Sequence, residues 1–208
     1  MFADYHRIIV GYHGTSRKRA DEIVRTQSFT PSRNDHDWLG HGVYFWEYAP
    51  RQAYWWAYRR HKGDAAVVAS MLRLGQCLDL LDPENARDLQ RFHDVLDSSY
   101  RAQGRELPRN HNTRKFRDCA VLETYYKSVQ AKGASPVQTS RGVYVPTPGS
   151  AGMDGGGTRL WERSWLTLEA HIQICVREDA MKACIVGTWP VDVRTLMSKE
   201  APPDDPSS

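Results

Sequence analysis

Two short apolar runs, each beside a glycine-containing turn, are the feature that most constrains the fold of this chain. Residues 8–12 (IIVGY) run into the turn 13–15 (HGT), and residues 43–46 (VYFW) follow the turn 40–42 (GHG). Short runs with β-branched and aromatic residues predict strands, and glycine lets the backbone approach a ligand closely. Because helical patterns are interspersed with these strands, we expect an α+β fold.

Helical spacing predicts a helix after each of these strands. Ser16 is expected to cap the first helix at its amino terminus, and Ala20, Ile23 and Val24 recur along its apolar side. The second helix is expected to begin near Pro50, and basic residues at its end suit the negative pole of a helix dipole. Its apolar face is expected to comprise Ala53, Trp56 and Ala57.

The remainder of the chain is predicted to complete a single domain over residues 1–198. Strands are expected at 65–75, 142–145, 168–176 and 184–189, and helices after Asp82-Pro83 and at 114–131. Residues 133–160, rich in Gly, Ser and Pro, are expected to form a mobile loop that can act as a lid. The polar residues 199–208 are expected to form a disordered tail.

Composition fits one domain and excludes several classes of protein. A chain of 208 residues with 40% hydrophobic residues can build a sizeable core. It has no apolar run long enough to span a membrane and no signal-peptide start, so we expect a cytoplasmic protein without a membrane partner. The 4 cysteines form no C-x-x-C pair and are expected to be reduced thiols, with no metal site. The net charge of +3 neither establishes nor excludes nucleic-acid binding.

Three segments, taken in order, resemble the catalytic core of ADP-ribosyltransferases. They are residues 12–15 (YHGT), residues 40–45 (GHGVYF) and the late strand around Gln173. The likeness is to the His-Tyr-Glu branch, which includes the poly(ADP-ribose) polymerases and diphtheria toxin. In that branch the histidine lies in an H-G-[ST] turn and the tyrosine in a G-x-G-[IV]-Y-F strand, which His13 and Tyr44 match. The resemblance implies a split mixed β-sheet with peripheral helices and NAD⁺ in a cleft.

The resemblance also implies roles in breaking the bond between nicotinamide and ribose. This cleavage creates a sugar cation, so the site must orient the ribose and stabilise positive charge. His13 would hydrogen-bond a ribose hydroxyl of the adenosine half, the backbone of Gly14 would pair with the nicotinamide amide, and Tyr44 would stack on the nicotinamide ring. Trp55, eleven residues after Tyr44, would form the second wall of the slot beside Tyr54. The predicted cofactor-binding residues are Gly14, Thr15, Gly42, Tyr54 and Trp55.

The third catalytic position departs from the family pattern, which has a glutamate at the beginning of a late strand. Alternation predicts that one face of this strand carries Glu169, His171, Gln173 and Cys175. The segment QICVRE matches the glutamate-led strand and makes Gln173 the first candidate. Glu169 has the correct chemistry but lies about 13 Å farther back along an extended strand. A glutamine would give up the full charge, worth about 1–3 kcal/mol in the transition state.

The resemblance implies a mono-ADP-ribosyltransferase that uses NAD⁺ as co-substrate and a protein or nucleic acid as acceptor. An enzyme of this kind resembles a bacterial toxin or a phage-defence effector, with an antitoxin or inhibitor protein as a further partner. Residues 59–62 (RRHK) are interpreted as a solvated helix end, or else as a contact for the pyrophosphate or a nucleic-acid acceptor. Two alternatives stay open: a catalytically silent module that binds NAD⁺ or ADP-ribose, and an NAD⁺-dependent RNA 2′-phosphotransferase, a family that lacks the G-x-G-[IV]-Y-F strand.

Overall fold

Strands and helices alternate along the chain in the computed structural model, which describes residues 4–111, 114–145, 160–162, 164, 166, 167 and 170–197. The strands are β1 (Asp4–Ser16), β2 (Val43–Glu47), β3 (Ala65–Asp79), β4 (Thr139–Tyr144), β5 (His171–Val176) and β6 (Ile185–Pro190). The helices are α1 (Arg17–Thr26), α2 (Pro50–His61), α3 (Pro83–Ala102), α4 (Phe116–Ala131), α5 (Met181–Cys184) and α6 (Val193–Met197). The predicted α+β class is confirmed.

The described strands form one mixed sheet in the order β1-β2-β5-β4-β3-β6. The β3–β4 pair is parallel, and the other pairs are antiparallel. Because β1 also pairs with β3, five of these strands make a closed circuit, and β6 extends the sheet from β3. The long strand β3 allows this closure, since it pairs with β1 along most of its length and with β4 only at Cys77–Asp79.

Pairing between distant strands lengthens two of the predicted elements. The prediction of a turn at residues 13–15 is wrong, because β1 continues to Ser16 and pairs with β3 as far as Ala65. The strand predicted at 65–75 likewise continues to Asp79, where β4 pairs with it. Cross-strand hydrogen bonds and burial on both faces outweigh the local preference of glycine for turns. The catalytic candidate His13 therefore lies inside a strand.

The two helices predicted beside the early strands are present and pack as expected. The hydroxyl of Ser16 caps α1 by accepting a hydrogen bond from the amide of Arg19 at 3.4 Å. Ala53 and Ala57 of α2 are completely buried against β1 and β3. The main core combines α1 with β1, β2, β3 and β5 through Ile9, Ile23, Phe29, Phe45, Leu72 and Ile174. A smaller core joins α4 to β3 through Leu78, Leu122 and Tyr126.

The cysteines agree with the prediction of reduced, mostly buried thiols. All four are free and buried. Burial raises the pKa of Cys119 to about 11 and that of Cys77 to about 12, so both thiols stay protonated at neutral pH. Within the described ranges, no cluster of three His, Cys, Asp or Glu side chains is placed to hold a metal ion.

Several predictions fall on residues outside the described ones. These are the candidate Glu169, most of the predicted lid (146–159) and the tail 199–208. Among the helices that the structure describes, none is both long enough and apolar enough to cross a membrane. The prediction of one domain over 1–198 stays a prediction.

Candidate functional site

The strands β1 and β2 separate at the position of His13. They pair at Gly11 with Glu47 and at Tyr12 with Trp46, and no further pair follows. Beyond Tyr12, β1 continues to its end with β3 as its partner. The result is a gap in the sheet, called here the β1–β2 gap, which is bordered by residues 13–16 on one side and 43–45 on the other.

The imidazole of His13 bridges the β1–β2 gap. Its Nδ1 lies 2.9 Å from the carbonyl oxygen of Tyr44. A carbonyl can only accept, so Nδ1 carries the proton and Nε2 presents a lone pair. Burial lowers the pKa of His13 below its ordinary value of 6.5, which keeps the ring neutral at physiological pH. Ring contacts with Phe29 and Phe45 at 5.4 and 5.8 Å fix its orientation.

Backbone alternation directs the peptide groups of Gly14 into the same gap. The amide of Tyr48 donates to the carbonyl of Val10, so Val10 turns its backbone groups toward β2. In an antiparallel pair every second residue does the same, which assigns this direction to Tyr12 and Gly14. Since β2 no longer pairs beyond Tyr12, the amide and carbonyl of Gly14 face the opening.

Close packing of α2 also explains why residue 14 is a glycine. A Cβ atom at Gly14 would lie 2.0 Å from the carbonyl oxygen of Ala53 and 3.2 Å from the Cβ of Ala57. Any side chain would push α2 away from β1. The sequence interpretation gave Gly14 a ligand-contact role alone, and the structure adds this packing role.

A cavity of about 400 Å³ opens on the His13 side of the sheet. Its walls come from β1, α1 and the segment after α1, and it is lined by His13, Thr15, Arg19, Glu22, Ile23, Thr26, Ser28, Phe29 and Thr30. This volume lies in the range of small-molecule pockets, roughly 300–1,000 Å³. The lining combines an imidazole, several hydroxyls and the Arg19–Glu22 ion pair, whose atoms are 3.1 Å apart. Thr15, predicted to contact the cofactor, lies beside His13 here.

The hydroxyl of Tyr44 anchors the turn that precedes β2. It accepts from the amide of Leu39 at 2.9 Å and donates to the carbonyl of Gly40 at 2.8 Å. Burial raises the pKa of Tyr44 well above its usual value, so the phenol stays protonated.

Gly42 has a φ of +156° and packs so closely that a Cβ would lie 2.3 Å from the carbonyl oxygen of Val176. Gly42, predicted to bind the cofactor, thus has a packing role against β5.

Side chains from α4 and from the end of β5 brace this turn, and the sequence did not point to them. Glu123 accepts from the amide of His41 at 2.8 Å and from Nη1 of Arg177 at 2.6 Å. Burial raises the pKa of Glu123, but the hydrogen bonds from Arg177 and His41 outweigh it and leave the pKa lowered. The hydroxyl of Tyr126 donates to the carbonyl of Leu39 at 3.0 Å. Residues 116–131, unexplained by the sequence, therefore support the site.

Gln173 lies in β5 with its side-chain amide held at both ends. Trp38 Nε1 donates to its Oε1 at 2.8 Å, which fixes the orientation of the amide because an indole N–H can only donate. The Nε2 of Gln173 lies 2.9 Å from Nε2 of His171 and donates to it. Gln173 is 9% exposed and pairs with Trp46 of β2. Gln173 can therefore donate an amide hydrogen to a ligand, but it has no carboxylate oxygen with which to accept one.

The catalytic candidates lie on two sides of the sheet around the β1–β2 gap. Tyr44 pairs with Cys175 and lies on the same face as Gln173, as alternation requires. The imidazole of His13 lies on the other face with Phe45. A ligand that contacts all three candidates must therefore pass through the gap.

The aromatic residues of α2 divide between core and surface. Trp56 packs on Trp46 at 5.5 Å and belongs to a core cluster with Ala53, in agreement with its interpretation as a core residue. Trp55 contacts the rings of Tyr54 at 5.3 Å and Tyr58 at 5.8 Å, on its own helix. The role of Trp55 and Tyr54 as a nicotinamide wall stays a prediction.

Comparisons with known proteins add one short similarity. No family model matches the chain, and no solved structure matches it. Over 36 residues the chain is 50% identical to an uncharacterized protein of Methanocaldococcus jannaschii. This stretch covers 17% of the chain and 17% of that protein, so it shows neither a family nor a function.

The lowered pKa of His13 predicts a loss of stability in acid. The unfolded chain binds a proton at this residue near pH 6.5, whereas the folded protein does so only at lower pH, so His13 destabilises the fold as the pH falls through this window. His13→Asn keeps a donor for the Tyr44 carbonyl but does not titrate. We expect its Tm to fall less than that of the wild type between about pH 7 and pH 5. An equal fall in Tm for His13→Asn and the wild type would contradict a lowered pKa at His13.

Proposed function

We propose that this protein is an NAD⁺-dependent mono-ADP-ribosyltransferase with an ADP-ribosyltransferase-like fold and a macromolecular acceptor, protein or nucleic acid. The observation that carries the proposal is the β1–β2 gap, where the neutral imidazole of His13 and the backbone of Gly14 face one opening. An acceptor nitrogen beside a peptide donor and acceptor suits a ligand that carries both a ribose hydroxyl and a carboxamide.

The two sides of the gap suit the two halves of a dinucleotide. On the His13 side, the 400 Å³ cavity offers hydroxyls for a ribose and the guanidinium of Arg19 for a pyrophosphate. On the other side, Gly14 pairs with the nicotinamide amide and the ring of Tyr44 lies against the nicotinamide. The hydrogen bonds of Tyr44 to the turn at residues 39–40 hold that ring rigidly, so little entropy is lost on binding.

Catalysis in this proposal depends on orientation and on stabilisation of a sugar cation. Nicotinamide leaves with the electron pair of its bond to the ribose carbon, and the acceptor nucleophile then bonds to that carbon and releases a proton. Gln173 holds a ribose hydroxyl oxygen through its amide hydrogen, and Trp38 keeps the amide in this orientation. Without a carboxylate at this position the reaction is slow, and transfer ends after a single ADP-ribose.

Release of nicotinamide from labelled NAD⁺ tests the proposal directly. The wild-type protein is expected to release nicotinamide, and NAD⁺ is expected to raise its Tm, because a ligand that binds the native state stabilises it. Incubation with a cell lysate, followed by separate recovery of protein, RNA and DNA, identifies the labelled acceptor. If the protein neither releases nicotinamide nor gains thermal stability from NAD⁺, the proposal is overturned.

Replacing Gln173 with glutamate is expected to increase nicotinamide release about 5- to 100-fold, because a carboxylate stabilises the sugar cation by about 1–3 kcal/mol more than an amide does. The indole of Trp38 can still donate to the new carboxylate, which keeps its position when His171 presents an N–H in place of the lone pair that accepts from Gln173. Single-turnover kinetics of Gln173→Glu and Gln173→Ala measure the effect. A slower Gln173→Glu protein of unchanged Tm would show that residue 173 does not face the cation.

A catalytically silent module that binds NAD⁺ or ADP-ribose is the second candidate, and the geometry of Gln173 favours it. Residue 173 is an amide whose Oε1 accepts from Trp38, so this residue brings no negative charge to the expected position. In this case NAD⁺ would raise the Tm of the protein, but nicotinamide would not be released. Nicotinamide release by Gln173→Glu alone would then show a site that has lost only its charge.

A further inference from the structure

Helix α2 and its end combine aromatic and cationic residues without any carboxylate. Residues 50–62 read PRQAYWWAYRRHK, with four aromatic residues, four Arg or Lys residues and no Asp or Glu. By contrast, the cations of the surface helix α3 alternate with acids, as in the ion pairs Arg87–Glu84 and Arg91–Asp88. The four positive charges of residues 50–62 are therefore not matched by acidic residues within the same segment.

One side of α2 presents these residues together. Ala53 and Ala57 mark the buried side of the helix. The opposite side, called here the α2 outer face, consists of Arg51, Trp55, Tyr58, Arg59 and Lys62. Trp55 lies four residues after Arg51, the adjacent Tyr58 and Arg59 lie three and four residues after Trp55, and Lys62 lies three residues after Arg59. Arg59 and Lys62 are exposed, whereas Trp55 and Tyr58 are half-buried, so their rings are fixed but still reach solvent.

Ring contacts hold the α2 outer face in a defined shape. Trp55 and Tyr58 lie 5.8 Å apart, and Tyr54 contacts them at 5.3 and 6.0 Å. The ammonium of Lys62 lies 5.9 Å from the centre of the Tyr58 ring. At the amino end of the helix, Tyr48 is 62% exposed although its φ of +50° is unfavourable for a residue with a side chain. An exposed aromatic ring held by strained backbone is typical of a binding surface.

We propose that the α2 outer face binds a single-stranded nucleic acid. Aromatic rings stack on bases regardless of sequence, and interleaved Arg and Lys residues neutralise the phosphates between them. The bases of a duplex are already stacked and cannot reach the rings, so a single strand is the partner that uses both parts of the surface. This binding does not depend on the proposed NAD⁺ reaction, and it would hold a nucleic-acid acceptor on the same helix whose buried side packs on Gly14.

Other anionic partners fit this face less well. A membrane surface binds a helix that can insert its apolar side, but the apolar side of α2 is buried under the sheet at Ala53 and Ala57. An acidic protein would pair with Arg59 and Lys62 but would make no use of fixed aromatic rings. The aromatic residues of this face therefore favour a single-stranded nucleic acid over a membrane surface or an acidic protein.

Fluorescence anisotropy with a labelled oligothymidine of about 20 nucleotides, in the absence of NAD⁺, tests the proposal. Three phosphate contacts on a single strand give a salt slope of about −2, so affinity is expected to fall roughly 20-fold between about 50 and 200 mM salt. Tyr58→Ala is expected to weaken binding about 5- to 100-fold, and Tyr58→Trp, which keeps a ring, is expected to preserve it. Arg59→Ala is expected to reduce the magnitude of the salt slope by about 0.7.

Arg91→Ala on α3 is the matched control, because it also removes one exposed cation, and it is expected to leave affinity unchanged. Equal binding by Tyr58→Ala and Arg91→Ala, with both proteins folded, would overturn the proposal. So would competition by polyglutamate or by anionic vesicles as strong as that by the oligonucleotide. Trp55→Ala separates a role in nucleic-acid binding from a role in NAD⁺ binding. Weaker oligonucleotide binding in the absence of NAD⁺ supports the proposal. Unchanged oligonucleotide binding, with loss of the thermal protection by NAD⁺, contradicts the assignment of Trp55 to this surface. Failure of NAD⁺ cleavage leaves these measurements unaffected.

Discussion

Replacing His13 with alanine is expected to lower kcat/KM for nicotinamide release about 100- to 1000-fold, the usual cost of removing one fixed hydrogen-bonding group from an active site. The change removes the Nε2 lone pair of a residue that lines the cavity. It also removes the Nδ1 donor to the carbonyl of Tyr44, 2.9 Å away, and so loosens the β1–β2 gap. A continuous assay of nicotinamide release at saturating and at low NAD⁺ measures the loss.

His13→Asn separates the two functions of the imidazole. The asparagine amide can donate to the Tyr44 carbonyl, so the gap keeps its shape, but it has no acceptor at the position of Nε2. We expect normal Tm and low activity for this variant, and lower Tm as well for His13→Ala. The matched control is His93→Ala on α3, where the imidazole pairs with neighbouring Asp94 at 3.0 Å. Full activity of His13→Asn would show that His13 only shapes the protein.

Local sequence predicted those elements whose ends depend on their own residues. Ser16 caps α1 and Pro50 begins α2, because a hydroxyl cap and a proline in the first turn act over a few residues. The predicted turn at Gly14 was wrong because Val67, more than fifty residues away, pairs opposite it. Asp79 extends β3 for a similar reason, since β4 pairs there. Such pairing is decided by topology and burial and not by the propensity of single residues.

The supporting side chains of the site were beyond the reach of the sequence. Trp38 lies two residues before the matched segment 40–45, so its position was a signal, but its partner Gln173 lies 135 residues away. Glu123 accepts a hydrogen bond from the amide of His41, 82 residues away in the sequence, and it belongs to no sequence motif that would indicate this contact. The resemblance proposes which residues carry the chemistry, while only the packing of α4 and β4 on the turn shows what holds them in place.

A buried ion cluster joins β2, β3 and β4 at the edge of the site. Arg141 is 6% exposed, and its guanidinium donates two hydrogen bonds to Glu47, at 2.6 and 2.9 Å. It also binds Asp79 at 2.9 Å. The hydrogen bonds that Arg141 donates to Glu47, together with the charge of Asp79, raise the pKa of Arg141 above its usual range, so the cation is permanent.

Arg141→Met is expected to lower the free energy of unfolding by about 3–5 kcal/mol, because it leaves two buried carboxylates without a counterion. In a protein of this size the corresponding fall in Tm is roughly 6–20 °C. The triple variant Glu47→Gln, Asp79→Asn, Arg141→Met removes all three charges and should recover much of the loss, since well-packed neutral groups can replace a buried ion cluster. Denaturant unfolding measures each difference, and a change no larger than that of exposed Arg91→Ala would show that the cluster contributes little.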